Sequence, residues 1–167
     1  MPKFIRPYYL ILILTSAWCL LVISPAIVGD SNPFSQTYNN ASYTFFGKVC
    51  HQYDSRSLHI DGQKFTVCAR CSGIYFGFLV GLLSLSLIFK NINIKYPVLF
   101  LFTISLPMLL DISLNYLGIH SSNLFTRTSS GLVFGILSTL IIYPTYQQAL
   151  NELFNKHLRG KIYVRKT

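Results

Sequence analysis

The chain has 167 residues, of which 51% are hydrophobic and 11% charged, and its net charge is +9. Ordinary soluble domains carry roughly 25% charged residues, so this chain lacks the polar surface of a soluble domain and is too hydrophobic for a disordered one. The positive charge suggests nucleic acid until its positions are read, because most of it flanks long apolar runs.

The first run, Tyr8 to Val28, is uncharged and follows Lys3 and Arg6. It is too long for the apolar part of a signal peptide, and no A-x-A cleavage site follows it. Trp18 precedes Cys19 where a lipid-attachment motif wants a small residue. A membrane helix over 8–28 is therefore expected. Residues 30–70 form the one long segment outside the apolar runs. Within it Ser42 to Tyr53 predicts a short helix, with Phe45, Phe46, Val49 and Tyr53 on one side. Asp61-Gly62 between short alternating runs predicts a two-residue β-hairpin. Three further apolar runs predict helices over 73–89, 96–117 and 131–150, followed by a basic tail, 151–167. The reading is an all-α, integral membrane four-helix bundle, one transmembrane domain over 1–167, with a Cys/His-containing loop.

Of the 14 Lys and Arg residues, nine lie at the N-terminus, at Lys90 and Lys95, and in the tail. The others, Lys48, Arg56, Lys64, Arg70 and Arg127, share their side with four aspartates. The positive-inside rule then places both termini in the cytoplasm and the Cys/His loop outside the inner membrane. The basic residues meet anionic membrane lipids, and no nucleic-acid partner is needed.

The second and fourth runs begin alike. Ser72-Gly73-Ile74-Tyr75-Phe76-Gly77 and Ser130-Gly131-Leu132-Val133-Phe134-Gly135 both read S-G-x-x-F-G. Glycines four apart let membrane helices approach closely. The likeness expresses either an old duplication of a two-helix unit or the sameness of glycine-striped membrane helices.

Three of the four cysteines lie in this loop or just past its end, Cys50, Cys68 and Cys71. A hairpin at Asp61-Gly62 returns the chain so that Cys68 and Cys71 meet Cys50. Three readings stand. Cys50, Cys68 and Cys71 with one imidazole make a Cys3His zinc site, His51 being the nearest imidazole and His59, His120 or a water the alternatives. A CxxC at a helix start has a lowered thiol pKa and suits thiol–disulfide exchange. The bland reading is a structural disulfide or inert thiols. Cys19 is an apolar filler inside the first helix.

Asp111 is a charge inside the third apolar run, on one helical face with Pro107 and Asn115. Such a charge faces the bundle interior and has a partner. Arg70 and Arg127, each placed just before a helix, are the candidates. The pairing either fixes packing or makes Asp111 a general base, proton carrier or metal ligand. Arg56, Arg70 and Arg127 together could grip a phosphate, since guanidinium binds phosphate in bidentate fashion. Taken singly, each is solvated rim charge or a headgroup contact.

Cys50-His51-Gln52, Arg56-Ser57, Cys68-x-Arg70-Cys71-x-Gly73-Ile74-Tyr75-x-Gly77, Pro107 to Asp111, Asn123 to Arg127, Gly131 and Gly135 resemble a family of small bacterial membrane proteins, domain of unknown function 2085. The resemblance covers roughly residues 45–140. It implies a membrane fold and no mechanism.

Three functions follow from these residues. The first is a membrane protein with a Cys3His zinc site at the outer rim, acting on or binding a phosphate-bearing lipid or small substrate, with Asp111, Arg127 and Arg70 as catalytic candidates. The second is a membrane thiol–disulfide oxidoreductase. The third is a non-catalytic transporter or assembly subunit with a structural zinc. No P-loop, Rossmann glycine pattern, HExxH or GxSxG occurs, and the sequence leaves open whether the chain is an enzyme.

Overall fold

The structure is a computed structural model that describes residues 5–85, 94–119 and 122–164, the side chains of 5–7, 151 and 153–164 excepted. It is mostly helical, with α-helices α1 (Ile5–Val28), α2 (Pro33–Phe46), α3 (Ala69–Leu85), α4 (Pro97–Tyr116) and α5 (Leu124–Val164), and strands β1 (Ser57–Ile60) and β2 (Gln63–Cys68). Three of these helices are long and apolar enough to cross a membrane, over Tyr8–Val28, Pro97–Tyr116 and Leu124–Leu150. Where a fourth span was expected, 73–89, the described residues form the shorter apolar helix α3, 17 residues ending at Leu85, so three candidate spans stand where a four-helix bundle was expected. Residues 86–89 and His120 lie outside the described residues.

Three boundaries differ from the sequence reading. The loop helix spans Pro33–Phe46 rather than lying within 42–53. Pro33 suits a first helical position because it has no N–H to leave unpaired, and the Ser35 hydroxyl closes the turn by donating to the Asn32 carbonyl at 2.7 Å. Gly47 ends the helix, and Gln52, with φ 51°, breaks the chain direction beyond it. The last helix begins at Leu124, not near 131, and continues through most of the basic tail to Val164. Asn123 caps it, its Oδ1 accepting the Thr126 N–H at 2.8 Å. Arg70 and Arg127 consequently lie inside the first turns of α3 and α5 rather than ahead of them.

The α1 helix runs antiparallel to α3. The Tyr8 hydroxyl donates to the Leu82 carbonyl at 3.1 Å, near the far end of α3. At the other end of α1 the Thr66 hydroxyl donates to the Val22 carbonyl at 3.1 Å. By contrast α3 and α5 run parallel and touch along their glycines. A Cβ at Gly77 would collide with the backbone of Leu132, and one at Gly135 with the carbonyl of Ile74. Contacts advance together along both helices, from Arg70 against Gly131 to Gly81 against Thr139. The close approach predicted from S-G-x-x-F-G is thus present. The α4 helix packs on α5.

The hairpin has the expected turn. Asp61 and Gly62 have φ of 49° and 80°, and Ile60 pairs with Gln63 across them, as a two-residue type I′ loop requires. The hairpin caps the end of α1. Val22, Ala26, Phe46, Cys50, Phe65 and Val67 form one buried cluster, which ties α1, α2 and β2 together and draws Cys50 inward.

Candidate metal and anion site

Cys50 is delivered by the turn that follows α2. Its N–H donates to the Phe46 carbonyl at 3.0 Å, and the buried Phe46 ring packs edge-on against Trp18 at 5.1 Å. Gln52 clamps the loop, its amide donating to the Tyr43 carbonyl at 2.9 Å and the Thr66 carbonyl at 2.7 Å. Cys68 ends β2, paired with Ser57, and its N–H donates to the Cys50 sulfur at 3.2 Å. Cys71 follows in the first turn of α3. The three sulfur atoms all lie within 4.8 Å of one another, and all three cysteines are free thiols.

The Cys68 thiol is pulled down to about 5 from an ordinary value of 9. The Cys71 thiol is the largest cause, donating to the thiolate, and partial burial opposes it. The backbone N–H groups of Cys71 and Arg70 and the Cys50 thiol add to the lowering. The Cys71 thiol is correspondingly pushed up, with the neighbouring Cys68 as its main cause. The arrangement therefore favours ionisation of Cys68 over Cys71.

The structure does not bring His51 to the sulfur atoms. Its side chain is exposed and stacks on the Tyr53 ring at 6.0 Å, 9° from parallel. His59 is also exposed and pairs with Asp54 at 3.2 Å. Neither expected imidazole completes a four-ligand set, and His120 lies outside the described residues.

A charged cluster adjoins the cysteines. Arg70 and Asp111 form an ion pair with side chains only 16% and 13% exposed. Arg127 is buried and donates through Nε to the Ser122 carbonyl at 3.2 Å. The charges of Arg56, Arg70, Asp111 and Cys68 act on its guanidinium, while the Arg56 guanidinium itself lies over the Tyr53 ring at 5.3 Å. Arg70 Nε and Ser122 Oγ are buried without a hydrogen-bond partner among the described residues. The cluster has positive charge and donor capacity in excess of its one acid.

The site was reached from Cys50, Cys68, Cys71, Arg70, Asp111 and Arg127. The sequence reading missed Gln52 and Tyr43, which hold the loop. The signal for Gln52 was its place in Cys50-His51-Gln52. Tyr43 carried none.

A family model described as "Predicted membrane protein", domain of unknown function 2085, matches residues 50–141. The chain belongs to this family. The segment shared with domain of unknown function 2085 begins at Cys50 and includes every cysteine and charged residue of the site, while α1 and α2 lie outside it. An uncharacterized protein of Methanocaldococcus jannaschii is 30% identical over 154 residues, covering 89% of this chain and 99% of its own. An uncharacterized protein of Methanothermobacter thermautotrophicus is 34% identical over 94 residues, covering 54% of this chain and 81% of its own. Both relatives are archaeal, so the expected restriction to bacteria is not supported. No solved structure matches.

Proposed function

We propose that the chain is an integral membrane protein whose Cys50, Cys68 and Cys71 hold a zinc ion at the outer rim, beside an arginine–aspartate cluster that binds a phosphate-bearing substrate. One observation carries this reading: free thiols from two separate backbone segments, Cys50 on one and Cys68 and Cys71 on the other, meet within 4.8 Å. Tetrahedral zinc at about 2.3 Å from each sulfur needs separations of about 3.8 Å, so the thiols need to close in by less than roughly an ångström. With His51 and His59 facing outward, the fourth position falls to water, as in zinc sites that act on substrate. Zinc in such a site supplies a Lewis acid for a phosphoryl oxygen as well as folding energy. Arg127, Arg70 and Arg56 supply the charge that phosphate recognition needs, with guanidinium forks suited to paired oxygens. The cytoplasmic placement of both termini, and hence the outer placement of this rim, belongs to the same proposal and rests on the basic residues.

The test is metal analysis of the detergent-purified full chain together with a thiol count. One zinc per chain, lost in Cys68→Ser, is expected, with a lower unfolding temperature in the variant because metal-binding energy is folding energy here. Absence of copurifying metal, with Cys68 and Cys71 cycling between thiol and disulfide as reductant is varied, overturns the zinc reading. That outcome favours the second reading, a thiol–disulfide oxidoreductase. Its support is the Cys68 thiolate itself, lowered to about 5 beside the start of α3.

A further inference from the structure

An apolar cleft lies further along α3 and α5 from Arg70 and Arg127. The floor of the cleft is the α3–α5 pair, through Ile74, Phe78, Phe134 and Ile142, and its walls are Trp18 on α1 and Leu101 on α4. It encloses about 430 Å³. The glycine contacts that press α3 and α5 together leave α1 on one flank and α4 on the other, so the cleft lies between the flanking helices. At 1.5 Å per residue, Ile74 lies about 6 Å along α3 from Arg70, and Phe134 lies about 10 Å along α5 from Arg127. Arg127 and Phe134 are seven apart and share one helical stripe. Ile142 lies about 22 Å from Arg127, against a leaflet of about 15 Å of hydrocarbon. The cleft thus begins about one turn from Arg70 and two from Arg127, and runs the depth of one leaflet. The Ser138 hydroxyl on its wall spends its hydrogen on the Gly135 carbonyl at 2.8 Å, which keeps that wall apolar.

We infer that the occupant is one hydrocarbon chain of an anionic phosphate-monoester lipid, whose headgroup is held by Arg127, Arg70 and Arg56 and whose chain lies along Ile74, Phe78 and Phe134. Charge complementarity selects the headgroup. Arg70 is paired with the one carboxylate, Asp111, Arg127 and Arg56 add positive charges that act on one another, and a phosphate monoester carries nearly two negative charges at neutral pH. The unpartnered Arg70 Nε and Ser122 Oγ are hydrogen-bond donors for its oxygens. An inorganic phosphate would satisfy the arginines and leave the cleft without a role. The inference rests on the phosphate reading above and adds the chain to it.

Trp18 is the only tryptophan and lines the cleft, so the protein carries its own probe. The full chain in detergent micelles is titrated with phosphatidic acid brominated along its acyl chains, and separately with the matching phosphatidylcholine. Saturable quenching of Trp18 by phosphatidic acid, at a mole fraction about tenfold below that needed with phosphatidylcholine, is expected from one charge-assisted pairing. Arg56→Gln, an exposed change that the fold tolerates, should remove most of that preference, as should Arg127→Gln where it folds. Thr15→Phe, which fills the cleft, should abolish the saturable quenching at an unchanged unfolding temperature. Equal quenching by both lipids, or a preference that survives Thr15→Phe, overturns the inference. Inorganic phosphate is tested in parallel by calorimetry. Phosphate binding without lipid preference removes the chain and leaves the phosphate reading standing, while failure of the folded protein to bind either removes that reading as well.

Discussion

Cys50 and His51 are neighbours in sequence and go to opposite sides of the chain. Residues 50–53 form neither helix nor strand, and Cys50 is buried while His51 is exposed. Phe46 and Val67 take Cys50 into the core, so His51 is left to Tyr53 and water. His51→Ala should therefore keep the full zinc content by metal analysis, whereas Cys50→Ser should lose it. In metal-free protein the Cys68 thiolate makes a separate prediction. Its alkylation by iodoacetamide, followed by mass spectrometry, should rise through about pH 5 rather than near the ordinary 9. A depressed acid stabilises the fold fully above its unfolded value, near 9, and that stability is lost as pH falls through about 5. The metal-free protein should accordingly lose stability progressively as pH falls from about 9 to about 5, with little further change from this group below that. Arg70 and Asp111 behave as a pair. Arg70→Met strands a carboxylate that is 13% exposed and should cost about 3–5 kcal/mol, while Arg70→Met with Asp111→Leu should recover most of it. Chemical denaturation in detergent would show whether the double change relieves the single one.

At the scale of elements, the α3–α5 pair holds the membrane part together. Gly77 meets the Leu132 backbone and Gly135 that of Ile74, and backbone cannot swing aside as a flexible side chain does. Gly77→Leu or Gly135→Leu should lower stability by roughly 1–3 kcal/mol, the range for overpacking, and thermal unfolding in detergent would read it. This contact was legible because a spacing of four on one stripe has one geometric meaning in a helix. The hairpin was legible for the same kind of reason, since Asp61 and Gly62 both reach positive φ. The start of α5 was not legible. Thr126, Thr128, Ser129 and Ser130 look polar in sequence, but each hydroxyl donates back to a carbonyl three or four residues earlier. Local hydrogen bonds of this kind hide polar side chains within a helix, so hydropathy placed the boundary a turn or two late and Arg127 outside it. The α2 boundary was missed because its amphipathic residues suit a helix almost anywhere in 33–53. Pro33 was the sharper signal.

In the whole molecule the alternation of helices sorts chemistry from charge. The Thr66 contact to Val22 and the Arg70 contact to Asp111 lie at one end, and the Tyr8 contact to Leu82 lies at the other. Because α3 and α5 are parallel, Arg70 and Arg127 both start their helices at the cysteine end. Lys95, which precedes α4, stands about 24 Å of helix rise from Asp111, at the opposite end. The cysteines, the arginine cluster and the near end of the cleft therefore share one rim, and Lys95 lies toward the other. A C-terminal reporter fusion should then be active only as a cytoplasmic reporter, and one inserted within residues 31–48 only as an external one. A C-terminus on the outer side would reverse the molecule. It would place the three thiols in a reducing compartment, where a disulfide cycle has no steady oxidant and metal binding is left as the chemistry the cluster can sustain. The same reversal would break the positive-inside asymmetry, since nine basic residues with one acid would face outward, so an outward C-terminus would also require the basic tail to be held by something other than anionic lipid on the cytoplasmic face.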